Sequence, residues 1–523
     1  MTNRHTRADA VLAGLIFAAS VAYLAALPRN LNPADESVHL YEAKRILDGE
    51  VLYRDVFNFI TPGWFYLMAA LFHVFGVSMA TARIAMAVMH GLTATLSYLT
   101  CRRLGVRRGL SWLPALAYLV IAQSAWPITS QHWVTALLTA ALLYVCAGRR
   151  RERAAWALWP GIILGLLIGV QQQRGLFVGV GLFAWLIGDA VLRLWFRARE
   201  PSESLAKEMI ALAAGALLSL LPLLAPSIIG AGIDRAWYAL VTFPVFNYRA
   251  TTHSPWGAVN IMTAWQASFT VPIVLKYMPI ILLVSVPRLF FLCIHRRDHA
   301  RASVLLLLIL FCCVSMLSVV YFPDFVHLAF IAPVFFVTAA EGLEWAVQRI
   351  PAPARFVRLA GALAGIAILA LGGYRLADNL VRLRRAFPLS HVTGFGRVDF
   401  ANEEEVRLYE NVNALLDGAP SRALYVYPVL SDLYLTARAD NPTPYGFFSA
   451  LGYNTPAQVQ EVLDILATRP PAYVVVFAAF LTSDDPIIHY ITREYEPVAT
   501  TGLAGRAIFR RKGEPVTASV PQP

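Results

Sequence analysis

Two adjacent acids, Asp35 and Glu36, follow the first long apolar run of the chain. They open the polar part of NPADESVHLYEAKRILDGE (residues 32–50), which holds five carboxylates in a protein whose hydrophobic fraction is 58%. A carboxylate held at a membrane surface can take the proton from an attacking hydroxyl, and general-base work of that kind needs only one well-placed acid. Ordinary helix capping explains the pair as well: Asp35 suits the cap of a helix running to Asp48, with Gly49 as its stop. The chemical reading therefore needs partners. Arg83, Arg174 in GVQQQRG, Lys276, and Asp324 with His327 in YFPDFVHL all fall inside or at the ends of apolar runs. A charge at such depth costs about 2.5–3.5 kcal/mol on insertion scales and generally turns inward to a partner or a site. Snorkelling accounts for Arg174 and Lys276 equally well. Acids and bases gathered on one side would form a basic, amphipathic cavity, which is what a lipid phosphate requires.

The elements that position these residues are membrane spans. Charged residues are only 15% of the chain, and apolar runs recur over its first two-thirds. A hydrocarbon core of ~30 Å needs ~20 apolar residues per helix, because lipid satisfies no backbone group. The runs predict about eleven spans: Ala8–Leu27, Met79–Cys101, Leu110–Trp126, Trp133–Ala147, Ala154–Val170, Gly175–Leu194, Met209–Ile229, Val271–Cys293, Ala302–Val320, Leu328–Val347 and Leu359–Tyr374. The first is read as a retained span and not a cleaved signal, since everything after it is also membrane-embedded. Every even-numbered exit is basic (Arg102, Arg103, Arg107 and Arg108 after the second, Arg149 to Arg153 after the fourth), so these loops face the cytoplasm. The net charge of +11 is thus a topology signal. A nucleic-acid partner would need a basic face on one soluble domain, and none is visible. The five cysteines fall in spans or at their cytoplasmic ends and draw no disulfide or zinc pattern.

Parity leaves residues 28–78, 230–270 and everything after Tyr374 on the outer side. This divides the chain into a membrane module, 1–374, and an extracytoplasmic α/β domain, 375–523. Within the first outer loop, the aromatic helix after Pro62 reads as interfacial, with Trp64, Phe65 and Tyr66 at headgroup depth. In the C-terminal domain, NEEEVRLYENVNALLDG and NTPAQVQEVLDILATRP read as helices, and RALYVYP, PAYVVVF and GRAIFRR as strands. It holds no Gly-rich phosphate loop and no nucleophile elbow.

The segment ADESVHLYEAKRILDGEVLYRDVFNFITPGWFYLMAALFHVFGVSMATARIAM resembles the first outer loop and second span of GT-C glycosyltransferases. It is most similar to the protein O-mannosyltransferase-like group of family 39, which includes the lipid A aminoarabinose transferases. The acidic pair, LYRD after a Gly turn, Pro before an aromatic helix, FG and the following Arg occur in order. DFVHL before a span and an outer α/β domain also fit. The resemblance implies a polyprenyl-phosphate sugar donor and an acceptor hydroxyl on a glycan, lipid or protein, with Asp35 as general base and Glu36 beside it. Arg54, Arg83 and Arg174 become candidates for the donor phosphate or for orienting the acids, with Arg249 and Lys276 as further outer-facing cations. Tyr41, Tyr53, Asp55, Asp324 and His327 complete the expected substrate-binding set. Where relatives often carry Lys-Pro-Pro this chain has Ile60-Thr61-Pro62, and the loop PITSQHW lacks the second acid of some relatives.

Chemistry agrees with the resemblance independently. Nucleotide sugars are absent outside the cell, and no Asp-x-Asp pair exists to hold one through a metal, so an activated donor must arrive on a lipid. Its phosphate leaves as an anion that cationic side chains can stabilise. No cofactor is demanded, and a divalent metal is compatible with the acids present. Two other classes account for parts of the pattern. A transporter or lipid flippase would use the intramembrane charges as a path, with broken helices in repeated halves. A non-catalytic scaffold for cell-envelope polysaccharide assembly would keep the fold alone. The Ala/Arg-rich composition, and an Asn441 sequon blocked by Pro442, fit a multi-pass protein of the bacterial plasma (inner) membrane with its N-terminus cytoplasmic.

Overall fold

The computed structural model describes residues 6–148, 154–197, 204–248, 254–259, 270–296, 298–349, 351, 354–428, 431–499 and 502–513. Among the described residues, eight helices are long and apolar enough to cross a bilayer: Arg7–Ala25, Met79–Arg103, Gln172–Phe196, Leu205–Ala231, Val271–His295, His299–Ser318, Phe325–Val347 and Leu359–Ala386. They match eight of the eleven expected spans. The other three are helical but shorter or interrupted. Gln131–Ala147 and Ala154–Val170 are short apolar segments. The third is broken into Arg108–Ser111, Leu113–Ala117 and wide turns over Tyr118–Gln123, with Pro114 at its first break. Proline removes a helical N–H and clashes with the preceding turn, so the run cannot continue as one regular helix.

Buried polar contacts knit the bundle. In the first span, Asp9 Oδ1 accepts from Tyr98 Oη at 3.0 Å and from the Nε atoms of Arg102 and Arg108 at 2.9 Å each. That ties it to the basic end of the second span and makes it an integral bundle helix. The fifth and seventh spans approach closely at Gly161 and Gly165, where a Cβ would lie 2.2 Å from the carbonyl oxygens of Leu212 and Ala216. Small residues four apart permit this contact of backbones.

The loops carrying the acids gather at the opposite end from that basic cluster. Thr129 N donates to Glu36 Oε1 at 2.7 Å, Gln172 Nε2 to the Phe59 carbonyl at 2.7 Å and Gln173 Nε2 to the Ser318 carbonyl at 3.2 Å. The last helix, Ala354–Ala386, runs twelve residues beyond the expected end of its span at Tyr374. A hairpin follows, β1 (Leu389–Thr393) with β2 (Gly396–Phe400). A four-stranded sheet of order β3-β4-β6-β5 comes next: β3 (Leu424–Tyr427) parallel to β4 (Tyr473–Phe477), and β6 (Arg506–Arg511) antiparallel to β4 and β5 (Tyr495–Ala499). The strands and helices expected from the sequence are present. The hairpin, β5 and the helix Pro486–Glu494 were not anticipated. β5 carries Pro497, whose missing N–H is tolerated because this strand lies at the sheet edge.

The first outer loop packs between the bundle and this domain. Phe57 N donates to the Pro444 carbonyl and Met79 N to the Phe395 carbonyl, both at 2.8 Å. One expectation is overturned here. Trp64 and Phe65 have no exposed surface, and Tyr66 Oη meets Ser227 Oγ of the Leu205–Ala231 helix at 2.6 Å. The helix Gly63–Phe75 is therefore a core element whose C-terminal residues Val74 and Phe75 are exposed, because the C-terminal domain and neighbouring spans cover its aromatic start.

Candidate active site

The helix Asp35–Leu47 is seated by Glu36. Its carboxylate is fully buried and pairs with both terminal nitrogens of Arg83, at 2.5 Å (Nη1–Oε1) and 3.0 Å (Nη2–Oε2). Arg83 also donates to the Asn30 carbonyl, and the backbone N–H groups of Asn32 and Thr129 donate to Glu36. These contacts repay part of the desolvation of the buried pair, while Arg83 Nε is buried without an acceptor among the described residues. The helix start differs from expectation. Ala34 is the capping residue, and Asn32 Oδ1 accepts from the N–H groups of Ala34 and Asp35 at 3.1 and 2.9 Å. Asp35 is thereby relieved of capping, and among the described residues its carboxylate makes no hydrogen bond or ion pair.

Asp35 opens into a recess and keeps accessible surface, yet protein surrounds it closely enough that desolvation dominates its titration. Its pKa is raised by that burial; His327 pulls it down and Asp324 adds to the rise. His39 lies one turn along on the same face of the helix. Burial lowers its pKa to about 4, so it is neutral at pH 7. Across the recess, His327 stands in the first turn of Phe325–Val347. Asp324 caps that helix, accepting from His327 N at 2.8 Å, and the same Oδ1 lies 2.7 Å from His327 Nδ1. This contact directs His327 Nε2 away from Asp324. His132, at the start of Gln131–Ala147, stacks on Phe330 at 4.4 Å and meets the His327 ring edge-on at 5.3 Å. Tyr321 stands 5.8 Å from His327, and its pKa is raised to about 12 by burial.

Arg174 lies in the first turn of Gln172–Phe196 and is 3% exposed. Its Nη1 donates to Thr135 Oγ1 at 2.5 Å and to the His132 carbonyl at 3.5 Å. No carboxylate among the described residues pairs with it. A buried cation with no carboxylate partner among the described residues is an arrangement in which a bound anion would supply the missing counter-ion. An aromatic wall flanks the recess: Tyr248 lies 4.7 Å from Phe59, 6.4 Å from Tyr321 and 6.0 Å from Tyr453 of the C-terminal domain. Among the described residues no three His, Cys, Asp or Glu side chains converge as a metal site.

The remaining expected residues lie elsewhere. Arg54 forms an exposed pair with Asp55 at 2.8 Å, and Asp55 in turn accepts from Val51 N at 2.8 Å. Tyr53, held at φ +72°, donates to the Ile60 carbonyl at 2.8 Å and fixes the loop. Tyr41 stacks on Tyr434 at 4.8 Å and receives Asn441 N, joining the loop to the C-terminal domain. Lys276 is exposed, with its stem against Gly257, whose N–H donates to the Pro323 carbonyl at 2.7 Å, and Arg249 lies outside the described residues. Asp35, Arg174, Asp324 and His327 are the expected residues that come together. His39, His132 and Tyr321 join them and were missed. The sequence signal for them was faint: one histidine four residues after Asp35 and another inside PITSQHW.

No family model matches the chain, and no curated protein matches it. Solved structures do. The chain is similar to ArnT from Cupriavidus metallidurans bound to undecaprenyl phosphate, with a TM-score of 0.57 and 13% identity over 96% of this chain and 97% of that one. The apo state of ArnT gives 0.58 and 13% over 96% and 98%. The arabinofuranosyltransferase AftD from Mycobacteria gives 0.53 and 15% over 96% of this chain and 40% of AftD. At such identities the likeness is one of architecture, and it covers nearly the whole chain: the protein shares the fold of ArnT and AftD.

Proposed function

We propose that the protein is an inverting glycosyltransferase that moves a sugar from a polyprenyl-phosphate donor to a hydroxyl of a glycan, lipid or protein acceptor. The reaction runs at the extracytoplasmic face of a bacterial plasma membrane, with the N-terminus in the cytoplasm. The observation that carries this reading is the pairing of an unengaged acid, Asp35, with a buried, carboxylate-free cation, Arg174, in one recess at one end of the bundle. The likeness to a structure that contains undecaprenyl phosphate supports the donor class.

In this mechanism Arg174 receives the donor phosphate, with His132 and His327 facing the same space. Asp35 takes the proton of the acceptor hydroxyl as its oxygen bonds to the anomeric carbon. The carbon–oxygen bond to phosphate breaks, its electron pair stays on the phosphate, and the configuration inverts. A phosphate leaving group needs no proton, so one base is sufficient. Burial raises the pKa of Asp35 and makes it a stronger base, and activity falls as lower pH protonates it. His327, oriented by Asp324, is a positioning residue close to Asp35. Glu36 and Arg83 hold the helix. A transporter would place its charges near the middle of the membrane; these stand at one end.

The test is incubation of purified protein with radiolabelled polyprenyl-phosphate sugars and membrane extracts. Asp35→Asn is expected to lower transfer by about 10²- to 10⁴-fold with thermal stability unchanged or raised. Retention of most activity by this variant would remove Asp35 from the mechanism.

A further inference from the structure

A second basic recess lies at the same end of the bundle, away from Asp35. It is a groove of about 420 Å³ between the C-terminal ends of the first and last spanning helices and the β1–β2 hairpin. Arg29, Arg384 and Arg397 line it with a single carboxylate, Asp399, over a floor that includes Leu27 and Phe387. Asp399 is engaged by the backbone: its Oδ2 accepts from Arg29 N at 2.7 Å. Arg384 donates through Nη2 to the Ala26 carbonyl at 3.0 Å, capping the first helix. The exposed guanidinium groups of Arg29 and Arg397 have no acceptor among the described residues. Three cations against one acid leave the groove with a net charge of +2.

The hairpin register decides what else faces this space. Ser390 pairs with Asp399 and Val392 with Arg397, and alternate residues of a strand share a face. Ser390, Val392, Arg397 and Asp399 therefore lie on one side of the hairpin, and Val392 is 73% exposed. The last helix, which ends in the groove, has almost all of its apolar stretch facing outward. Basic groups, an exposed valine and an apolar floor thus meet where two spans leave the hydrocarbon. Arginine matches phosphate oxygens with paired N–H donors, and anionic headgroups draw basic residues at this depth.

We infer that this groove binds the phosphate headgroup of an anionic membrane lipid, whose acyl chains lie along the outward face of the last helix. The lipid would fasten the hairpin, and through it the C-terminal domain, to the membrane surface. This inference is independent of the sugar-transfer reading, since it uses none of the residues around Asp35.

The experiment uses the full chain, purified and delipidated in neutral detergent. Native mass spectrometry follows its titration with phosphatidylglycerol and phosphatidylcholine. The wild type should bind phosphatidylglycerol at least tenfold more tightly than phosphatidylcholine. The double variant Arg29→Glu, Arg397→Glu should lose at least tenfold for phosphatidylglycerol, whereas Arg385→Glu, outside the groove, should not. Equal loss in Arg385→Glu, or no loss in the double variant, overturns the site. Displacement of the lipid by an equal concentration of inorganic phosphate makes it a free-anion site and overturns the lipid assignment. If the double variant does not fold, Arg397→Gln, which removes one exposed guanidinium, is read by the same criteria.

Discussion

Replacement of Arg174 tests the charge balance of the recess without knowledge of the sugar. The guanidinium is 3% exposed and is met by one hydroxyl and one distant carbonyl. A buried ion carries an effective desolvation penalty of about several kcal/mol, and two neutral acceptors offset only part of it. The ligand-free protein therefore holds Arg174 at a cost. Arg174→Met, of similar length and apolar, should leave its thermal stability equal or higher. Binding should respond in the opposite sense. A hydrogen bond to a charged group contributes about 1.5–3 kcal/mol, so loss of the contact weakens polyprenyl phosphate binding by about ten- to a hundred-fold or more. At a lipid concentration of about 100 times the wild-type Kd, the wild type gains about 2.7 kcal/mol of stability; a variant weakened about a hundred-fold gains only about 0.4 kcal/mol. Thermal unfolding with and without a short-chain polyprenyl phosphate reads both effects. Arg174→Lys should fall between the two, since a lysine keeps the charge and loses the fork. An Arg174→Met protein that is less stable without lipid, yet stabilised by it as much as wild type, would refute the reasoning.

Further outcomes follow from the neighbouring residues. Glu36→Gln leaves Arg83 buried without a counter-ion and should cost about 3–5 kcal/mol of stability, read by thermal or denaturant unfolding, while activity per folded molecule changes little. Glu42 accepts from Asn58 Nδ2 at 2.8 Å, and burial raises its pKa from 4.5 to about 8. Its stabilisation is full below about pH 4.5 and lost as pH rises through about 8; wild type should therefore lose on the order of a few kcal/mol more than Glu42→Gln between pH 5 and 9. A parallel fall in both proteins would assign the pH dependence to another group. Ser421→Cys should react with an impermeant thiol reagent from outside and Gly109→Cys should not, since both sites are exposed and lie at opposite ends of the bundle. Protection of Ser421→Cys would reverse the orientation.

Much of the fold was legible in the sequence because its causes are local. An apolar run of sufficient length must be a helix in lipid, so most span positions could be read to within a few residues, the last helix, which continues twelve residues past Tyr374, and the interrupted third run excepted. Misreadings arose where neighbours outside the local sequence decide. Trp64 and Phe65 have the composition of an interfacial helix, but the C-terminal domain and adjacent spans bury them. β1 and β5 are five-residue strands whose existence depends on partners, β2 and β6, that no local pattern identifies.

The same division runs through the recess. The sequence by itself determined that an acidic pair stands at the exit of the first span and that several cations lie at the depth of the same membrane surface, because chain order and span parity place them there. Only the tertiary structure decided which charges are occupied. Arg83 is neutralised by Glu36 across 47 residues and Tyr41 is taken up by Tyr434, while Asp35 and Arg174 have no ionic partner among the described residues. His39, His132 and His327 come from three separate segments and meet only once the bundle closes. Pairing between charges depends on distance through space and on desolvation, and neither is written in the spacing of residues along the chain.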